Sequence, residues 1–481
     1  MSLKEKTVNG LFWSLIDNVA NLGVQFVVGI LLARILSPEE FGLIGMLTIF
    51  IAVSQSFINS GFNSALIRKK DCTQNDYSTV FFFNLAVSFV CYALLFLFSG
   101  AIASFFKEPQ LRYLIQFLGL GLILNSFGII QRTILTKNIN FKTQTKVSLV
   151  SSVGSGIIAI AMAYQGFGVW SLVALTLIRY TLDSLFLWLW TKWVPTFVFC
   201  NKSFNELFGF GSKLLASGLI DTIYRYSYYL IIGKFFSAAE LGYYTRADQF
   251  QQMPSSNLQG IIGRVSYPML SSIQDDIPRL KEAYIKVIRS TMLLTFIFML
   301  GMAAIAKPMI LTLIGEKWSP VIVYLQLLCF VGMFYPLHAI NLNMLNVQGR
   351  SDLFLRLEII KKILALPTIA LGIFFGVKIM IIGMIVNTLI AYYLNSYWSG
   401  KMIGYSFMQQ IKDVFPSFLL ALVINGFVFS LNFLNITSPL LLLSLQITAG
   451  GITTILLCEL IKFNDYIYLK STFLQKLFKH E

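Results

Sequence analysis

The feature of this sequence that most limits its fold is a long series of apolar runs, each of about 20 residues or more, separated by short polar segments. A helix of about 20 apolar residues crosses the hydrocarbon core of a membrane, where only helices and closed barrels satisfy every backbone polar group. Of the 481 residues, 56% are hydrophobic and only 12% are charged, whereas about a quarter of a typical soluble chain is charged. The sequence therefore predicts an all-α integral membrane protein and excludes an ordinary soluble enzyme.

The apolar runs and the loop signals between them predict about fourteen transmembrane helices. A first set of six covers 11–35, 41–66, 79–106, 111–135, 147–164 and 167–190. A second set of six covers 207–234, 240–265, 287–306, 321–346, 357–376 and 379–399, and two further runs cover 414–434 and 438–461. We therefore expect an N-lobe over 1–190, a cytoplasmic linker over 191–206, a C-lobe over 207–400, and helices 13 and 14 with a cytoplasmic tail over 401–481.

The basic residues are distributed unevenly between the two sides of this layout. One side carries most of the 37 lysines and arginines, including the clusters at 68–70 and 361–362. The connections on the other side contain only Arg34, Lys107, Arg112, Lys234, Lys307, Lys317 and Lys378. Because cytoplasmic loops are rich in Lys and Arg, the basic side is predicted to be cytoplasmic, and so are both termini. The net charge of +15 follows from these short runs, so no nucleic-acid binding is expected.

A short internal repeat recurs at a spacing of two hundred residues. Residues 34–42 read Arg-Ile-Leu-Ser-Pro-Glu-Glu-Phe-Gly, and residues 234–242 read Lys-Phe-Phe-Ser-Ala-Ala-Glu-Leu-Gly. Each copy ends the first helix of a six-helix set and begins the second, where Ser37 and Ser237 are placed to cap the next helix. Because six is an even number of spans, the repeat predicts two parallel six-helix lobes around a central cavity, an arrangement used for alternating access.

Charged residues inside the predicted spans give the candidate site. Each charge that faces lipid at a helix centre costs about 2.5–3.5 kcal/mol, so these groups are expected to face a wet cavity or one another. In the first helix Asp17, Asn21 and Gln25 recur at four-residue steps and so share one face. The other candidates for substrate binding are on the sixth, seventh and eighth helices: Arg179, Lys213, Asp221, Arg225, Arg246, Asp248 and Gln249.

Structural explanations of the same charges remain open. Arg179 with Asp183, and Asp221 with Arg225, are pairs at i,i+4 that could neutralise each other, while Lys213 is close enough to the cytoplasmic end to extend to the interface. For Arg225 and Arg246 we favour a role in binding, because guanidinium groups suit phosphate and carboxylate oxygens.

No motif for chemistry is present. The sequence contains no phosphate-binding glycine loop, no zinc-protease motif and no nucleophile elbow, and its five cysteines form no Cys-x-x-Cys pair. We expect a transporter and not an enzyme, with no cofactor and no metal. Transport would then be downhill or coupled to a proton or sodium ion.

Three N-terminal stretches resemble the Wzx-type oligosaccharide flippases, the polysaccharide transporter family of the MOP superfamily. Residues 10–14 read Gly-Leu-Phe-Trp-Ser, residues 32–42 read Leu-Ala-Arg-Ile-Leu-Ser-Pro-Glu-Glu-Phe-Gly, and residues 61–68 read Gly-Phe-Asn-Ser-Ala-Leu-Ile-Arg. These motifs lie in about the first 90 residues, and the fourteen-span layout, which is MATE/MOP-like, extends the resemblance over the chain.

The resemblance implies a flippase of the bacterial cytoplasmic membrane that moves undecaprenyl-diphosphate-linked oligosaccharide from the inner to the outer leaflet, for export of lipopolysaccharide, capsule or exopolysaccharide. It implies that Arg225 and Arg246 contact diphosphate or acidic sugar. It also implies that the partners are membrane lipid, a glycan polymerase and the chain-length machinery. Alternatives from the same superfamily are a cation-coupled multidrug exporter and a lipid II flippase. From another class, an integral-membrane glycan polymerase or ligase would need a larger outer loop than any found here.

Overall fold

Helices account for the regular structure of this chain. The computed structural model describes the backbone of residues 3–59, 61–434 and 436–478, and no strand occurs among them. Side-chain surroundings are described over 12–14, 16–59, 61–255, 266–350, 352–434 and 436–471. The described contacts divide the chain into two units, Met1–Gly242 and Tyr243–Glu481.

The first unit contains nine helices among its described residues and the first turn of a tenth. They are α1 Leu3–Ile35, α2 Pro38–Asn59, α3 Phe62–Arg68, α4 Gln74–Leu97, α5 Ser99–Phe106, α6 Leu111–Lys137, α7 Phe141–Tyr164, α8 Trp170–Thr191, α9 Asn201–Phe235 and α10 Ala238–Ser271. α10 then continues into the second unit.

The rest of the second unit is also helical. Its helices are α11 Ile277–Leu313, α12 Pro320–Gly332, α13 Tyr335–Val347, α14 Ser351–Leu364, α15 Leu366–Phe375, α16 Val377–Ile403, α17 Phe407–Ser430, α18 Pro439–Leu460 and α19 Asn464–Phe478. Pro336 and Pro367 lie at the second residue of α13 and α15, where the missing amide hydrogen interrupts no helical hydrogen bond.

Eleven intervals of the described chain are long and apolar enough to cross a membrane, so the protein is a multi-pass membrane protein. The three predicted spans outside this set are nevertheless helical. α9 and α10 contain the charged candidates from Lys213 to Gln249 and are less apolar. The predicted span 357–376 is divided at Ala365 between α14 and α15. The total of about fourteen and the arrangement of two lobes around a central cavity stay predictions.

The first unit continues beyond the predicted linker, and the predicted lobe boundaries stay a prediction. The first unit extends to Gly242 and so includes α9, which begins at Asn201 and not at 207. Only residues 192–200 connect α8 to α9. This connection is fixed to α4, because Gln74 Nε2 donates to the Val194 carbonyl at 2.7 Å and the Cys200 amide donates to Thr79 Oγ1 at 3.0 Å.

The predicted capping turns of the repeat are confirmed. Ser37 Oγ accepts from the Glu40 amide at 3.3 Å, and Glu40 Oε2 accepts from the Ser37 amide at 2.6 Å, which is a capping box at the start of α2. At the second copy, Ser237 Oγ accepts from the Glu240 amide at 3.1 Å. The repeat therefore has a local structural function at both positions, which is to start a helix at the end of a sharp turn.

We expect replacement of either capping serine by alanine to destabilise the protein by about 1 kcal/mol, because one amide at the helix start loses its partner. Thermal unfolding of purified Ser37→Ala and Ser237→Ala would measure this. Ser37→Thr keeps the hydroxyl and should unfold close to the wild type. An unchanged transition in both alanine variants would contradict the capping assignment.

The two copies of the repeat also contact each other within the first unit. A Cβ atom built on Gly42 would lie 1.7 Å from the Ala238 carbonyl oxygen, and one built on Gly242 would lie 1.9 Å from the Pro38 carbonyl oxygen. The contact is therefore reciprocal, with the glycine of each copy against the first helical residue of the other. It requires glycine at both positions, because no side chain fits between the two backbones.

The N-terminal part of α9 is held by two basic residues, Arg68 at the end of α3 and Lys69 directly after it. Lys69 Nζ lies 3.1 Å from Asp76 Oδ1 and 2.9 Å from Glu206 Oε2, and the Arg68 guanidinium lies 4.6 Å from the centre of the Phe210 ring. Burial alone would lower the pKa of Lys69, but its hydrogen bonds to Glu206 and Asp76 raise it above the ordinary value. The pairs thus connect the start of α9 to the segment after α2.

Candidate functional site

A cavity of ≈ 520 Å³ lies among α1, α6, α7 and α8 of the first unit. Its volume is within the range of about 300–1,000 Å³ found for ligand sites. Charged and hydroxyl groups line it although the helices around it are apolar enough to span a membrane. The lining residues are Asp17, Asn21, Arg132, Gln144, Val147, Ser148, Leu175, Thr176, Arg179, Tyr180, Asp183 and Leu187.

The α1 side of the cavity is organised around Asp17. Asn21 Nδ2 donates to Asp17 Oδ1 at 2.8 Å, and Ser148 Oγ of α7 donates to the same oxygen. Asn21 also accepts from Ser152 Oγ at 3.0 Å. The four-residue spacing along α1 therefore places Asp17 and Asn21 on one face, as predicted, and the hydroxyl groups of α7 complete the network.

The two arginines of the cavity have different partners. Arg132 Nη2 of α6 donates to Asp183 Oδ2 of α8, and the exposed fractions of the two side chains are 49% and 13%. With its amide oxygen turned toward α8, Gln25 accepts from Nη1 and Nη2 of Arg179 at 3.1 Å each. The sequence left open whether Arg179 pairs with Asp183 at i,i+4. In the structure Asp183 pairs with Arg132, and Arg179 pairs with Gln25.

Sequence reasoning missed several lining residues. Arg132 lies near the cytoplasmic end of the predicted span 111–135, where basic residues are expected, so it gave no signal of a cavity. Ser148 and Thr176 carry no charge, and a hydroxyl in a spanning helix can bond to its own backbone, so their residue types gave little signal. The spacing of Ser148, Ser151, Ser152 and Ser155 along α7 is the pattern that could have indicated a polar face.

The remaining predicted site residues lie outside this cavity. Lys213, Asp221 and Arg225 are exposed along α9, and the Arg225 guanidinium lies 5.8 Å from the centre of the Tyr226 ring. This part of α9 is attached to α2 through Ser56 and Thr222, whose hydroxyl oxygens are 3.1 Å apart.

Arg246, Asp248 and Gln249 belong to α10 in the second unit. Arg246 is buried, its Nη1 donates to Gln249 Oε1 at 2.7 Å, and its guanidinium lies 5.9 Å from the centre of the Trp318 ring. Asp248, also buried, accepts from Gln252 Nε2 at 2.7 Å. The predicted residues are therefore found in three places: Asp17, Asn21 and Arg179 line one cavity, and Gln25 is bonded to Arg179.

The helical fold and its apolar spans define this protein as a multi-pass membrane protein, and its fold is that of the following solved structures. It is similar to the structure described as "Lipid II flippase MurJ, inward closed conformation", with a TM-score of 0.76 and 15% identity over 96% of this chain and 100% of that chain. It is also similar to an inward-facing multidrug resistance MATE family transporter of the MOP superfamily, with a TM-score of 0.62 and 16% identity over 80% of this chain and 98% of that one.

Within that class, the chain belongs to the family described as "Polysaccharide biosynthesis protein", whose model matches residues 31–323. It is 26% identical to the lipopolysaccharide biosynthesis protein WzxC of Escherichia coli (strain K12), over 88% of this chain and 87% of that protein. The resemblance to Wzx-type proteins is thereby confirmed.

Proposed function

We propose that this protein is a flippase that moves undecaprenyl-diphosphate-linked oligosaccharide from the inner to the outer leaflet of the bacterial cytoplasmic membrane by alternating access. The observation that carries the proposal is the charged, hydroxyl-lined cavity within helices that are otherwise apolar enough to span a membrane. Such a cavity can solvate a sugar headgroup while the polyprenyl chain stays in lipid. The family match supports a glycan as the cargo.

The charged groups outside the cavity have proposed roles in the same process. Arg225 and Arg246 contact the diphosphate or an acidic sugar, and Asp17 and Asp221 orient the binding groups or carry a coupling proton. Transport is downhill or coupled to a proton or sodium ion, with both termini cytoplasmic. A glycan polymerase and chain-length machinery receive the product at the outer leaflet.

Deletion of the gene followed by lipid analysis tests this proposal. A flippase deletion should reduce surface glycan and accumulate a lipid-linked oligosaccharide on the inner leaflet, and the wild-type gene should reverse both effects. Unchanged surface glycan together with an unchanged lipid-linked pool would contradict the proposal.

The likeness to a lipid II flippase makes that activity the second candidate. Rescue of a strain depleted of its lipid II flippase would support it in place of oligosaccharide export. Uptake of cationic dyes in the deletion strain would separate a multidrug exporter from both, and a polymerase or ligase would instead leave unpolymerised product on the outer leaflet.

A further inference from the structure

Two guanidinium groups face the first-unit cavity, and only one of them is neutralised. Arg132 is paired with the Asp183 carboxylate. Arg179 is held by the neutral carboxamide of Gln25 at 3.1 Å, and no carboxylate of the described residues lies within 4.0 Å of it. A carboxylate partner cancels a guanidinium charge, whereas an amide oxygen orients the group without cancelling it. Arg179 therefore keeps a full positive charge at the cavity.

Asp17 is held in a corresponding way by neutral donors. Its described partners are Asn21 and Ser148, and none is a cation. Since Arg132 and Asp183 cancel, the described lining offers one guanidinium at Arg179 and one carboxylate at Asp17 that no described group of opposite charge contacts. The remaining polar lining consists of hydroxyl and amide groups, among them Thr176, Tyr180 and Gln144.

This arrangement restricts the charge of a ligand. A diphosphate carries at least two negative charges, so at this cavity it would meet one uncompensated guanidinium and the like charge of Asp17. A uronate carries one carboxylate, which a guanidinium binds through two parallel hydrogen bonds, and several hydroxyl donors, which a carboxylate accepts. A single acidic sugar residue therefore matches both groups, and a diphosphate does not.

We infer that the first-unit cavity binds a monoanionic acidic sugar residue of the glycan, with its carboxylate at Arg179 and its hydroxyl groups toward Asp17 and Ser148. Gln25 is a positioning residue, because it fixes the guanidinium while leaving its charge available to the ligand. The inference rests on the proposed function, since it identifies part of the headgroup that would cross the membrane. It leaves the diphosphate to other cationic groups.

Binding of two small sugars to the purified full-length protein in nanodiscs tests the inference. Methyl β-D-glucuronide and methyl β-D-glucoside differ only in a carboxylate against a hydroxymethyl group. At low salt we expect the wild type to prefer the glucuronide by about tenfold in apparent affinity, measured by ligand-induced thermal shift and saturation-transfer NMR. Equal binding of the two sugars by the wild type would overturn the inference.

Two variants assign the preference to the proposed pair. Arg179→Gln should abolish it by removing the charge, and Gln25→Glu should abolish it by supplying a carboxylate of nearly the same shape. Arg112→Gln, which removes an exposed arginine at the far end of α6, should keep it. A preference that survives Gln25→Glu in folded protein would contradict the role of a neutral partner.

An excess of undecaprenyl diphosphate distinguishes the two sources of an anion. If it fails to displace the glucuronide, the acidic-sugar assignment is supported, whereas displacement that depends on Arg179 would assign the site to diphosphate instead. No transport occurs in this assay, so equal binding of both sugars would leave the flippase proposal standing. The lipid analysis of the deletion strain tests that proposal separately.

Discussion

Gly42→Leu and Gly242→Leu are each expected to yield little correctly folded protein. The first carbon of either new side chain would overlap a backbone carbonyl oxygen, at 1.7 Å from Ala238 for Gly42 and 1.9 Å from Pro38 for Gly242. A flexible side chain could rotate away, but here two helix starts would have to separate. The cost should reach or exceed the upper end of the roughly 1–3 kcal/mol typical of overpacking. Size-exclusion chromatography and thermal unfolding in detergent would measure the loss.

Gly100→Leu is the matched control for this prediction. Gly100 lies in the helix α5 of the same unit, and a Cβ atom built there meets nothing within 4 Å. The Gly100→Leu variant should therefore fold as the wild type does, because leucine meets no neighbour there and has a higher helix propensity than glycine. If Gly42→Leu and Gly100→Leu gave equal yields and equal unfolding temperatures, the close contact between the two repeat copies would be wrong.

Asp183→Ala is expected to destabilise the protein by about 2 kcal/mol, because it leaves Arg132 without its carboxylate beside an apolar helix surface. Loss of one partner of a buried ion pair costs about 3–5 kcal/mol, and the smaller figure allows for the 49% exposure of Arg132. Asp183→Asn should cost less, since its carbonyl oxygen still accepts a hydrogen bond. The double variant Arg132→Gln with Asp183→Asn should recover most of the stability.

The pair of Arg350 and Asp352 is the control for this second prediction. Its atoms are 2.9 Å apart, but both side chains are about half exposed, so Asp352→Ala should leave the unfolding temperature unchanged. Hydrogen bonding to Arg350 lowers the pKa of Asp352 to about 2, so any contribution of this pair persists above the ordinary Asp pKa and is lost only as the pH falls toward 2. Equal destabilisation by Asp183→Ala and Asp352→Ala would contradict the distinction between the two pairs.

Local patterns predicted the helices and their turns well. The apolar runs located the spans, and the serines at 37 and 237 located two helix starts, because capping depends only on residues three positions apart. The same reasoning placed α9 six residues too late, at 207, because five of the six residues over 201–206 are polar and give little apolar signal. The predicted span 321–346 is confirmed as the apolar interval Pro320–Val347, but this interval consists of two helices, α12 and α13, with a break just before Tyr335.

The candidate site was predicted in part. Asp17, Asn21 and Gln25 share a helix face because of their spacing, and the cost of a charge in lipid indicated that Arg179 needs a polar partner. The prediction that Arg225 and Arg246 bind the anionic part of the substrate stays untested.

The sequence by itself determined that this chain is helical, that it spans the membrane many times, and which residues share a helix face, since these depend on residue type and on spacings within one helix. Only the tertiary structure decided which charges meet. Helix geometry allows Asp183 to reach Arg179 one turn away, yet its partner is Arg132, 51 residues earlier in the chain. That choice depends on how α6 and α8 pack together, and no spacing within a single helix contains this information.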